Sequence, residues 1–176
     1  LEKTELPIEG ILLFSPMLEL KRDYKGCKNK LISNVGKISK DTRFKVGITP
    51  QDLTRNDEII EETANDGLML KKVTYSWYNL INEKMKETMD HIRDIKPISA
   101  LIMYGTNDKI LETQSINEMK DKLKSKEMYF KVWDGLYHEI HNEPERDLVM
   151  RYVLSFLNNS VNTMGFIVNE EEIEDI

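Results

Sequence analysis

Two short runs constrain this chain more than anything else in it. Residues 97–108 read P-I-S-A-L-I-M-Y-G-T-N-D, and residues 128–138 read M-Y-F-K-V-W-D-G-L-Y-H. In the first, the apolar run Ile98 to Tyr104 stops at Gly105. That pattern predicts a buried strand that delivers Asp108 just past its end. In the second, a β-prone run stops at Gly135 and delivers His138. Between them, Ser115 to Ser125 carries a helical pattern. Ser115 and Glu118 are spaced as a capping box, and Ile116, Met119 and Leu123 form the apolar stripe. The order is strand, acid loop, helix, strand, histidine loop. In a right-handed crossover the two strands are parallel and end at the same edge of the sheet. Asp108 and His138 lie 30 residues apart, about the length of one such unit. The two side chains can therefore meet, and a carboxylate that orients an imidazole is two thirds of a hydrolytic triad.

The rest of the chain supplies the frame. Ile11 to Phe14 is a continuous apolar run ended by Ser15-Pro16, which predicts a strand buried on both faces. From Leu18 to about Lys71 the periodicity dissolves among Gly26, Gly36, Gly47 and polar runs. This is too long for an ordinary loop, so an inserted cap with short helices is expected. Thr49-Pro50 and Asn65-Asp66 read as turns or helix starts. Val73 to Ile95 predicts a helix with Trp77, Ile81, Met85, Met89 and Ile92 on one face, closed by Pro97. A last helix is expected from Glu143-Pro144, with Asn142 as its N-cap and a stripe from Leu148 to Leu157. The expected organisation is a core strand in 1–17, a cap in 18–71, a core with both loops in 72–159 and a loose acidic tail in 160–176.

Composition narrows the function. The chain of 176 residues is 40% hydrophobic and 32% charged, in keeping with one α/β domain. Its net charge of -6 and lack of a basic stripe argue against nucleic acid as a partner. No apolar run approaches the ~20 residues of a membrane-spanning helix. Cys27 stands alone, which excludes an internal disulfide and favours a reducing compartment. A cytoplasmic or membrane-peripheral location is the expectation. Leu1 is not an initiator residue, so the chain reads as beginning inside a longer one.

Each candidate residue has a plainer reading. Asp108 alone is as well explained as a turn aspartate, and His138 alone as a loop histidine. The pair carries more, because both sit where α/β sheets bind ligands. H-E-I-H at 138–141 invites a zinc reading, but the metalloprotease motif needs its histidines at i and i+4. No metal or cofactor is expected. His141 reads as a packing neighbour and His91 as a helix C-terminal residue. Trp77, Met85 and Met89 read as core, with an acyl channel as the alternative. Cys27 has no partner base assigned. Ser15 is followed by proline, which gives neither an elbow nor an amide for an oxyanion hole.

The motifs I-L-L-F-S-P (11–16), L-I-M-Y-G-T-N-D (101–108) and W-D-G-L-Y-H-E-I-H-N-E-P-E (133–145) resemble the C-terminal half of the α/β-hydrolase fold. Within it, the chain is similar to serine hydrolases of the monoacylglycerol lipase and lysophospholipase group, from about Ile8 to Leu157. The resemblance implies a mostly parallel sheet flanked by helices, with Asp108 as triad acid and His138 as triad base. It also implies a lipid monoester substrate and a cap that touches a membrane surface. The nucleophilic serine would lie upstream, after the strand next to Ile11 to Phe14, on a G-x-S-x-G elbow. No G-x-S-x-G occurs in this sequence. The expected partner is thus an N-terminal half carrying the serine and the oxyanion hole, without which this fragment is inactive. The competing expectation is a non-catalytic binding module that has lost the elbow. A nucleotide-handling domain would need a glycine-rich phosphate loop, and none is present.

Overall fold

The most apolar strand takes the middle of the sheet. The computed structural model describes residues 10–21, 41–95, 98–123 and 128–158. Expectations on Cys27, Gly26, Gly36, Pro97, Ser125 and the tail fall outside them. Strands β1 (Gly10–Phe14), β4 (Ser99–Gly105) and β5 (Met128–Trp133) form a parallel sheet in the order β1-β4-β5. Both faces of β4 are covered, because its side chains alternate. Leu101 and Met103 pack with Val149, Tyr152, Val153 and Phe156 of helix α5 (Arg146–Leu157). Ile102 and Tyr104 pack with Ile116 and Met119 of helix α4 (Thr113–Lys122) and with Ile92. Burying each such large aliphatic side chain is worth roughly 1.5–3 kcal/mol. This is the sheet-between-helices arrangement that the apolar runs predict.

β1 differs from expectation. All five of its residues are only half-buried. Among the described residues it is bordered by β4 alone, so one flank of an apolar strand lacks cover.

A second unit joins the sheet at the loop ends. Strands β2 (Arg43–Lys45) and β3 (Lys72–Thr74) pair antiparallel, with Phe44 opposite Val73. Helices α1 (Pro50–Leu53) and α2 (Asp57–Asn65) lie between them in sequence. Thr49 and Asp52 close a capping box on α1, and Asn56 caps α2. Asn65-Asp66 ends α2 in a turn rather than starting a helix: the Asp66 N–H donates to Thr63 O and its carboxylate accepts from Leu68 N. The long helix α3 (Tyr75–His91) begins after Thr74, whose hydroxyl accepts from Trp77 N. Val73 is therefore strand, not helix, because pairing with Phe44 claims it. Phe44 also stacks on Tyr75 at 4.7 Å and meets Tyr78 edge-on at 5.4 Å. The buried stripe of α3 runs through Tyr78 and Met85. Trp77 is exposed instead of buried, and Leu80 is exposed as well.

Two other helix starts move. Helix α4 opens at Thr113 with Glu112 at its cap, and Ser115 lies inside it, its hydroxyl donating to Glu112 O. The bridge Leu20–Leu111 and the bond from Glu112 N to Glu19 O hold the chain extended until that point. Helix α5 starts at Arg146 rather than at Glu143-Pro144, and Asn142 ends a 3-10 turn, Ile140–Asn142. Proline disfavours helical backbone in the residue before it, and Glu143 is extended.

The ends of β4 and β5 are bonded directly to each other. Thr106 N donates to Trp133 O and Asn107 N to Leu136 O, at 2.9 and 3.0 Å. The Thr106 hydroxyl donates to Asp134 and accepts from Gly135 N. Gly135 takes φ +75°, a conformation that costs other residues but not glycine. Gly105 touches the opposite loop so closely that a Cβ would stand 2.1 Å from Leu136 O.

Gly105→Ala must therefore push the two loops apart. It should lower stability by about 3 kcal/mol, the upper range for overpacking, read from urea unfolding; an unchanged midpoint contradicts this contact. Burial raises the Tyr152 pKa. The stability this reflects is complete below the unfolded value of about 10 and is lost as pH rises through the folded value. Unfolding midpoints should fall in that alkaline window, and less so in Tyr152→Phe. A fall of equal size in both proteins would exclude Tyr152 as its source.

Candidate active site

The acid loop folds around its own carboxylate. Asp108 is fully buried. Its Oδ1 accepts the backbone N–H groups of Ile110 at 2.8 Å and Leu111 at 2.9 Å. Its Oδ2 lies 2.9 Å from Nδ1 of His138. An ionised carboxylate only accepts hydrogen bonds, so opposite one Nδ1 is the donor, and a neutral ring then keeps its lone pair at Nε2. The His138 side chain is 23% exposed, enough to be reached from outside. The structure thus joins the two residues that the strand ends single out. An imidazole held this way can take a proton at Nε2 and be stabilised as imidazolium by the carboxylate behind it.

The surroundings include groups that periodicity did not reveal. Lys21 donates its ammonium to the backbone carbonyl of Asp108. Lys109 donates to Gln51 O at 3.0 Å and sits 4.0 Å above the Tyr137 ring. Glu143 is a fully buried carboxylate. Its Oε1 accepts Tyr137 N at 2.6 Å, and its Oε2 accepts Arg55 N and Nε at 3.2 and 3.0 Å. Arg55 also reaches Glu145 at 2.6 Å. Burial works to lower the Arg55 pKa, but the Glu145 hydrogen bond and both nearby carboxylate charges outweigh it, so the net direction is upward. Glu143 in N-E-P reads in sequence as a helix start; the signal that could have found it is an acid held extended by proline and thus free of the helix.

The other candidates fall elsewhere. His141 is exposed and meets Phe14 edge-on at 5.6 Å. His91 ends α3, 3.1 Å from Asp94. Ser15 is buried with φ 43°, and its hydroxyl has no partner among the described residues. Among those residues, no group of three potential ligands is placed to hold a metal ion. Met85 and Met89 help line a cavity of about 320 Å³ with Leu18 and Leu20; its lining includes neither Trp77, Asp108 nor His138. No described helix is long and apolar enough to cross a membrane.

Comparison with known proteins bears on the family and the fold. The Hydrolase_4 family, described as serine aminopeptidase, S33, matches residues 1–145. Phospholipase YtpA of Bacillus subtilis is 27% identical over 154 residues, which is 88% of this chain and 60% of that protein. Monoacylglycerol lipase of Mycolicibacterium smegmatis is 35% identical over 57 residues, covering 32% of this chain and 20% of that one. The crystal structure of Paleococcus ferrophilus monoacylglycerol lipase superposes with a TM-score of 0.79 at 21% identity, over 87% of this chain and 60% of that one. A soluble variant of the Saccharomyces cerevisiae monoglyceride lipase gives 0.75 at 16% identity, over 87% and 54%. At those identities the structural likeness shows the fold. The chain spans about 60% of the length of relatives such as YtpA and the Paleococcus enzyme. Its parallel sheet flanked by helices is a part of the α/β-hydrolase fold, and the chain belongs to the Hydrolase_4 family.

Proposed function

We propose that this chain supplies the acid and base of a serine ester hydrolase acting on lipid monoesters of the lysophospholipid and monoacylglycerol class. The observation that carries the reading is the 2.9 Å bond between Asp108 and His138 at the joined loop ends. The names of the relatives, a phospholipase and monoacylglycerol lipases, support the substrate class. The nucleophile and oxyanion hole come from an N-terminal segment of the fold that bears the G-x-S-x-G elbow. The half-covered flank of β1 is where a strand from that segment would pair.

In this mechanism the serine Oγ attacks the ester carbonyl while Nε2 of His138 accepts the hydroxyl proton. Asp108 holds the resulting imidazolium. The tetrahedral intermediate collapses, the alcohol leaves with the proton from His138, and an acyl-enzyme remains. Water repeats the cycle from the same side and frees the acid.

Leu68 and Leu70 are 86% and 76% exposed, and Trp77 and Leu80 are about half exposed. Exposed apolar side chains in this stretch suit a lipid surface and support a membrane-peripheral location.

A fluorophosphonate probe should label the serine of the protein assembled with its elbow segment. His138→Ala should abolish that labelling, and labelling that survives removes His138 from the mechanism. Asp108→Asn keeps the Oδ1 acceptor for the Ile110 and Leu111 amides, so the loop should stay folded while turnover falls by roughly 10⁴. Near-normal turnover in that variant would exclude the acid role. Phospholipid vesicles should retain the protein in sedimentation, and Leu68→Ser with Leu70→Ser should weaken retention severalfold. Equal retention would refute the lipid-facing role of that loop.

A further inference from the structure

The segment Leu53 to Arg55 grips the His138 loop from both sides. On one side, Glu139 N, immediately after His138, donates to Leu53 O at 2.8 Å. On the other, Tyr137 N, immediately before it, donates to Glu143 Oε1 at 2.6 Å. Glu143 is in turn held by the amide and guanidinium of Arg55. The Thr54 hydroxyl, itself buried, closes the gap by donating to Asn142 O at 2.9 Å. The amide N–H groups of the residues before and after His138 are thus tied to a segment more than 80 positions away in sequence, Glu139 directly to Leu53 and Tyr137 through Glu143 to Arg55.

A buried carboxylate is an expensive way to hold a loop. Taking it out of water costs several kcal/mol, and pairing it with a guanidinium often does no better than an apolar side chain of the same volume. Stability alone therefore gives little reason for an acid at 143. An acceptor with two oxygens in one plane does something an apolar side chain cannot. It fixes the direction of the Tyr137 N–H with one oxygen while the other accepts both the backbone amide and Nε of Arg55, whose second guanidinium nitrogen reaches Glu145. The backbone direction at Tyr137 sets where the His138 ring emerges. The bond to Asp108 then sets only the rotation of that ring.

We infer that Glu143 and Arg55 are positioning residues, which aim the His138 imidazole at the reacting serine by fixing the backbone on which it stands. The inference rests on the hydrolase reading above. Neither residue touches substrate or the reacting atoms. Their contribution belongs to the transition state, where proton transfer needs Nε2 in one place, and not to substrate binding. Displacement of a catalytic group by about 1 Å costs on the order of 10²-fold in rate.

The test uses the protein assembled with its elbow segment and a soluble short-chain ester. Glu143→Gln keeps the shape but presents an N–H₂ to one of two neighbours that are themselves donors. It should lower kcat by one to two orders of magnitude with KM within twofold of wild type. Arg55→Lys keeps the charge but loses the fork, and should fall between Glu143→Gln and wild type. Amide hydrogen exchange at Tyr137 and Glu139 should accelerate at least tenfold in Glu143→Gln, while that of β4 is unchanged. Acceleration throughout β4 would mark a folding defect, and Arg55→Lys, which leaves the buried acid paired, then decides by its kcat alone. Wild-type turnover with kcat unchanged in both variants, or a loss confined to KM, overturns the positioning role and leaves the hydrolase reading standing. A wild-type protein that hydrolyses no ester and takes up no fluorophosphonate removes that reading, and the positioning role falls with it.

Discussion

Gly105 and Leu136 meet backbone to backbone, and the arrangement of the site depends on that contact. No side chain larger than hydrogen fits at residue 105, because a Cβ there would overlap the Leu136 carbonyl. With the gap closed, Asn107 N and Thr106 N reach carbonyls of the opposite loop. The Thr106 hydroxyl bridges Asp134 and Gly135. Two loops that leave neighbouring parallel strands are thereby bonded into one unit. Asp108 and His138 ride on it, and their hydrogen bond follows from the joint rather than creating it.

Different forces hold different parts of this structure. The sheet is held by apolar burial on both faces of β4, which is strong and indifferent to direction. The loops are held by directional bonds to backbone amides: Asp108 on Ile110 and Leu111, Glu143 on Tyr137, Leu53 on Glu139. Such bonds add little net stability each, but leaving any of those buried groups without its partner is costly. The scaffold can therefore absorb small volume changes, whereas moving either loop breaks several of these bonds at once.

This division also explains what could be read from sequence. Met128 to Trp133 is a strand in both readings because its β-prone residues and the glycine that follows act locally. The meeting of Asp108 with His138 was legible for the same reason, since strand ends and crossover length are local and geometric. Val73 and Ser115 were misplaced because distant partners decide them: Phe44 claims Val73, and Glu19 and Leu20 hold the run before α4; Asn142 was misplaced for a local reason, since Pro144 keeps Glu143 extended and delays α5. Glu143 and Arg55 carry no periodicity at all. Their significance lies in a pairing across 88 residues, which a single sequence does not display. The burial of β1 was overestimated because an apolar run shows what a strand can bury, not which neighbours flank it.

The central claim is that the joined loops hold His138 as the Nδ1-protonated tautomer, with Nε2 free to accept a proton. Long-range ¹H–¹⁵N correlation spectra of the imidazole rings test it directly, and the chain has three histidines to resolve. At a pH where its ring is neutral, His138 should show one protonated nitrogen, Nδ1, and one bare nitrogen, Nε2. A ring protonated at Nε2, or one averaging between both tautomers, would contradict the account.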